Sequence, residues 1–245
     1  MFKLKFLYLP LVLLLPILLF SACTQNNEKV SKSNLIDSEE KSINSDKNAN
    51  DNPRYLIMMG RSVMNSWFDH WGWDGENPMQ LERYTLEYRE LSSPPEMIES
   101  VRNIMNELPE DKKDIIFFKF CFEDFLGDDA ASKNLERNKN IVKEVHKIVT
   151  QEHNAKLIVG NALPQVISNT DIYLVWNHQQ FISWLDEFWR DNPDNLTVFD
   201  MYNPITNELG ALKTDYAVGS DDSHLNGNAY DVLDDKFFSM LDNLY

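Results

Sequence analysis

The chain has 245 residues and a formal net charge of −16, with 39 acidic against 23 basic side chains. That length accommodates one sizeable α/β domain once the ends are set aside, and the absence of any basic stripe argues against a nucleic-acid partner. Only eight glycines occur, and none forms a phosphate-cradling loop.

Lys3 and Lys5 give a short basic start, followed by an apolar run from Phe6 to Phe20. The run is short for a bilayer span and carries Pro10 and Pro16, which suits the hydrophobic core of an export signal. Ser21 and Ala22 then precede Cys23. The ending Phe20-Ser-Ala-Cys23 resembles the lipobox of bacterial lipoproteins, with Phe20 where leucine is usual. The resemblance implies a signal peptide over 1–22, a lipid such as palmitate on Cys23, and a domain anchored to the membrane outside the cytoplasm. A plain transmembrane anchor is the other reading, and it leaves the domain on the same side. The second cysteine, Cys121, sits in an apolar run, so a lipidated Cys23 leaves no intrachain disulfide and stability must come from the core. Residues 23–53 are dominated by Asn, Ser, Lys, Asp and Glu; they bury too little to offset the cost of ordering and read as a disordered tether.

Over 54–245 apolar runs alternate with amphipathic stripes. Tyr55-Leu-Ile-Met-Met59 reads as a strand buried on both faces, Gly60 breaks it, and Val63, Met64 and Trp67 resume at helical spacing. The segment Trp67–Trp73 is either a stacking platform for a sugar or a lid packed on its own domain. Leu81–Glu90 alternates as a strand wet on one side. Ser93-Pro-Pro-Glu96 predicts a serine-capped helix start. Asp114–Phe122 reads as a central strand in which Lys119 reaches out at the end to water or a carboxylate. Helical spacing marks 135–149, 181–189 and 229–244, and Lys156–Val159 and Leu196–Asp200 complete the strands. His146 and His153 read as surface residues, and Trp176-Asn-His178 as a cap or cleft lining ahead of a helix. Connections too long for hairpins imply parallel pairing and a three-layer α/β/α sandwich. Ser62, Glu123-Asp124, Asn161 and Asp200 then all fall at C-terminal strand ends, where such sheets bind ligands.

Ser62 follows the first strand and is either a helix cap or a nucleophile beside free helix N–H groups. His224 is the candidate base, with Asp221 one helical turn ahead as its partner; the same residues also suit a cap of the last helix. Gly60-Arg-Ser62 and Asp221-Asp-Ser-His224-Leu-Asn resemble the first and last blocks of the SGNH (GDSL-like) hydrolases. The resemblance spans the whole domain and implies a flavodoxin-like sheet and an esterase or acyl hydrolase without a cofactor. Ser62 would be the nucleophile, His224 the base and Asp221 its partner. The chain departs from the family at Arg61, which replaces the Asp of Gly-Asp-Ser. It departs again at Cys121-Phe-Glu-Asp124, where Glu123 replaces the oxyanion asparagine of Gly-x-Asn-Asp. Asn161 is the substitute donor expected beside Ser62. The expected activity is hydrolysis of an acyl or acetyl ester, with an acylated cell-envelope glycan as one substrate. The contrasting expectation is a catalytically silent binding lipoprotein on the same fold.

Overall fold

The computed structural model describes residues 54–244. The expected signal peptide, Cys23 and the expected tether lie outside the described residues. Within them, six strands form one sheet in the order β2-β3-β1-β4-β5-β6. They are β1 (Arg54–Gly60), β2 (Met79–Leu81), β3 (Tyr84–Glu90), β4 (Ile115–Lys119), β5 (Lys156–Gly160) and β6 (Leu196–Phe199). β1 pairs in parallel with both β3 and β4, and β4, β5 and β6 follow in parallel. Only the edge strand β2 runs antiparallel, against β3.

Among the described residues, five α-helices cover the sheet: α1 (Ser62–His70), α2 (Met97–Glu107), α3 (Ala131–His146), α4 (Ile172–Asp191) and α5 (Gly227–Asn243). Strand side chains alternate between the two faces, and the two cores separate accordingly. Leu56, Met58 and Phe117 pack with Trp67 of α1 and Phe237 of α5. Ile57, Met59 and Phe118 pack with Met105 of α2, Val142 of α3 and Phe181 of α4. The result is a three-layer α/β/α sandwich whose central strands are apolar on both faces, as parallel sheets require.

Several local expectations change. Leu81–Glu90 is not one strand: Glu82, at φ +53°, turns β2 into β3 as a hairpin. The outer face of β3 is not wet either, since Thr85 and Glu87 are buried. Glu87 is satisfied there by the Tyr55 hydroxyl and Arg89. Ser93 caps nothing through its side chain; its carbonyl accepts from Glu96 and α2 starts at Met97. His146 is buried rather than at the surface. Trp176, Asn177 and His178 lie within α4, which begins well before Phe181, and His178 is fully buried.

The chain leaves β1 for β3 on one side and then crosses to β4 on the other, so the switch in strand order falls at the C-terminal end of β1. Gly60 closes that strand. A Cβ there would stand 2.7 Å from Cβ of Met64, so only glycine lets α1 turn back this tightly onto the strand.

Candidate active site

Ser62 is the first residue of α1, with Arg61 at the N-cap, so its side chain is not the cap. Met64 and Asn65 N–H groups bond the Arg61 carbonyl. The Ser62 and Val63 N–H groups come ahead of these bonds at the helix N-terminus, beside an exposed Ser62 hydroxyl. His224 arrives from the loop before α5, and its Nε2 stands 3.1 Å from Ser62 Oγ.

The carboxylate on that histidine belongs to Asp222, not Asp221. Asp222 Oδ1 lies 2.7 Å from His224 Nδ1 and also accepts the His224 backbone N–H at 2.9 Å. A carboxylate bonding the backbone two residues ahead is a local turn that aspartate forms readily. Here the same turn brings the ring nitrogen within reach. These bonds, the backbone one first, hold the Asp222 carboxyl below its ordinary range. Asp221 is exposed on the Gly219 side, and its carbonyl accepts from the Asn169 side chain. With Nδ1–H given to Asp222, Nε2 presents its lone pair to the serine proton, the arrangement general-base activation needs. The edge of Phe122 meets the His224 ring at a centroid distance of 5.1 Å and helps fix its plane.

The loop carrying Asp222 and His224 is fastened from the β5–α4 connection. Ser223 Oγ accepts the Val166 N–H, Ser168 Oγ donates to the Ser220 carbonyl, and Asn169 Nδ2 to that of Asp221. Asn226 caps α5 through the Ala229 N–H.

The side-chain hydrogen bonds of Asn161 go to the turn after β6 rather than to Ser62. Its Nδ2 donates to Asp200, and its Oδ1 accepts the N–H groups of Met201 and Tyr202. Buried, it holds the turn after β6, with its amide nitrogen turned to Asp200 rather than bonded at the serine. Asp200 completes that turn by accepting from Asn203.

The segment after β4 forms the floor beside the serine. Cys121 is buried, with its sulfur 4.0 Å from Ser62 Oγ. Asp124 accepts the Cys121 N–H through one oxygen and Arg61 Nη2 through the other, both at 2.7 Å. Burial raises the Asp124 carboxyl, and the Cys121 N–H and Arg61 oppose that rise. Arg61 thus ties the start of α1 to the turn after β4, a role that sequence reading did not assign. Glu123 points outward, its side chain 68% exposed and 4.0 Å from Arg61. Lys119 does not reach water; it is fully buried with one long bond, 3.4 Å, to the Phe120 carbonyl. Burial lowers its pKa to about 8.

The tryptophan segment packs on its own domain, with Trp67 in the core and Trp71 and Trp73 half-buried at its edge. Trp67 is buried, and its indole N–H and that of Trp71 both bond Asp234. Trp73 packs edge-on against Phe68 and Tyr88 and donates to the Glu76 carbonyl. Among the described residues, no group of three or more His, Cys, Asp or Glu side chains is arranged to hold a metal ion.

The sheet order, the helical layers and the placement of Ser62 at the switch point are those of the SGNH (GDSL-like) hydrolase fold. No family model and no curated protein matches the chain, but solved structures do. A GDSL-like lipase from Bacteroides thetaiotaomicron VPI-5482 superposes with a TM-score of 0.58 at 14% identity, over 79% of this chain and 90% of that one. A member of the lipolytic G-D-S-L family from Veillonella parvula DSM 2008 gives 0.51 at 16% identity, over 76% and 97%. Identities this low speak for the fold.

Proposed function

We propose that the protein is a serine hydrolase of carboxylic esters, in which Ser62 attacks, His224 takes its proton and Asp222 orients the imidazole. The observation that carries this reading is the continuous line Asp222–His224–Ser62, at 2.7 and 3.1 Å, set at the switch point of the sheet. In the first step Ser62 Oγ bonds to the ester carbonyl carbon and its proton passes to His224 Nε2. The imidazolium returns that proton to the leaving alkoxide. Water then repeats the cycle on the acyl-serine, releasing the acid. The Ser62 and Val63 N–H groups at the start of α1 supply the oxyanion donors in place of the family's asparagine. Arg61 lies between Glu123 and the buried Asp124, so its guanidinium offsets the Glu123 carboxylate that would oppose developing negative charge.

A fluorophosphonate probe should label Ser62 in wild type and leave Ser62→Ala unlabelled, and His224→Ala should lose ester turnover while staying folded. Hydrolysis that survives Ser62→Ala unchanged removes the reading. A folded wild type that neither labels nor turns over acetyl or butyryl esters makes the binding-protein reading, which Glu123 favours, the better one. The Phe6–Phe20 run and Cys23 support placing this activity on a lipid anchor outside the cytoplasm. A mature mass that begins at Met1, or an unmodified Cys23, rules the anchor out.

A further inference from the structure

Exposed apolar side chains are normal when scattered and informative when gathered. Of the eight large ones exposed among the described residues, seven lie on the loops after β4, β5 and β6 or in the first turns of α4; Trp189 is the exception. Two of these loops meet at Ser62: the turn after β4 through Cys121, and the loop after β6 through His224. Ile172, 77% exposed, and Leu209, 67% exposed, are the extremes. They face a groove of about 300 Å³ lined also by Ile167, Thr170, Asp171 and Val175.

The two polar residues of that lining are turned largely to the backbone. Asp171 takes the N–H groups of Tyr173 and Leu174 on one oxygen and that of Asp128 on the other. Thr170 directs its proton to the carbonyls of Gln165 and Val166. A sugar entering the groove would exchange water for apolar walls without gaining side-chain donors, which is unfavourable. A hydrocarbon chain would gain by burial there. The wall is also continuous with the catalytic loop. The stretch Gln165–Thr170 supplies Ile167 to the groove, and it is bonded through Val166, Ser168 and Asn169 to Ser223, Ser220 and Asp221. Gln165 bonds the carbonyl of Phe122, the residue against the His224 ring.

We propose that this groove receives the hydrocarbon chain of the substrate's acyl group, so that the esterase prefers acyl esters of medium length to acetyl esters. The inference rests on the hydrolase reading and names the substrate class for the same site. Each methylene buried is worth about fourfold in binding. With p-nitrophenyl acetate, butyrate and octanoate, kcat/KM of the wild type should therefore climb by at least about tenfold from butyrate to octanoate. The double variant Ile172→Ser/Leu209→Ser changes exposed positions and should remain folded by circular dichroism. It should lower the octanoate-to-acetate ratio by about tenfold. A flat chain-length profile, with acetate turnover that Ser62→Ala abolishes, overturns the groove and leaves the hydrolase standing. If no ester is turned over, the hydrolase reading falls, and fluorescence titration with dansyl-undecanoic acid decides the groove alone. Weaker binding by the double variant supports it, and equal binding overturns it. Flotation with phosphatidylcholine vesicles that the double variant abolishes, with a flat chain-length profile, makes the patch a membrane-docking face and overturns the acyl assignment.

Discussion

Asp222 reaches His224 through a two-residue turn, whereas Asp221 three places ahead is held away by the bond from Asn169 to its carbonyl. The sequence offers two adjacent aspartates, and the family pattern favours the first. The selection is made by contacts from the β5–α4 connection, some fifty residues away, which no local spacing reveals. Asp222→Asn should lower kcat/KM by about a hundredfold or more by disturbing the imidazole's tautomer. Asp221→Asn should stay near wild type; a comparable loss in both would contradict the assignment. A second residue-scale consequence comes from His178. It is fully buried, its two ring nitrogens have no hydrogen-bond partner, and burial pushes its pKa down to about 3. The folded protein then keeps it neutral while the unfolded chain protonates near its ordinary value. Its contribution is complete above about pH 6.5 and is lost progressively as pH falls towards 3. Between pH 6.5 and 5 wild type should lose about 1.5 kcal/mol from this group alone. Urea melts of His178→Phe, set among Phe125, Phe181 and Tyr202, should lack that component of the pH dependence.

Elements were legible where burial imposes a single pattern. β1, β4, β5 and β6 are short apolar runs, and α3 and α5 have regular apolar stripes, because each packs against the core. The first turns of α4 were not legible because Ile172, Tyr173 and Trp176 are exposed and obscure the stripe made by Leu174, Phe181 and Leu185. The β2–β3 hairpin was hidden because its turn residue Glu82 adopts a positive φ that favours glycine or asparagine. Arg61 was visible only as a departure from the family pattern. Its link to the turn after β4 gives a prediction at this scale. Arg61→Met removes the ion-pair partner of the buried Asp124 carboxylate and should cost about 3 kcal/mol in a denaturant melt. Adding Asp124→Asn to that variant should recover part of the loss. If the single variant melts like wild type, the clamp contributes nothing to stability.

At the level of the molecule, the alternation of strands and helices made the three-layer architecture readable, since a chain that buries both faces of a sheet has few other solutions. The site was readable only as far as its residues lie beside strand ends. Ser62 and His224 are separated by 162 positions in the chain, and α1 and α5 are joined across a similar span by Trp67 to Asp234 and Tyr230 to the Val63 carbonyl. The proposed nucleophile and its base therefore come from opposite ends of the domain, and neither half contains a working site. During synthesis Ser62 emerges long before the histidine that would deprotonate it. On the proposed mechanism the hydroxyl would stay an ordinary, unreactive serine until α5 docks against α1. Synthesis of the segment that carries His224 and α5 would act as the time switch for the chemistry, and ribosome-stalled chains ending before Ser220 should fail to react with a fluorophosphonate even where the first strands have formed.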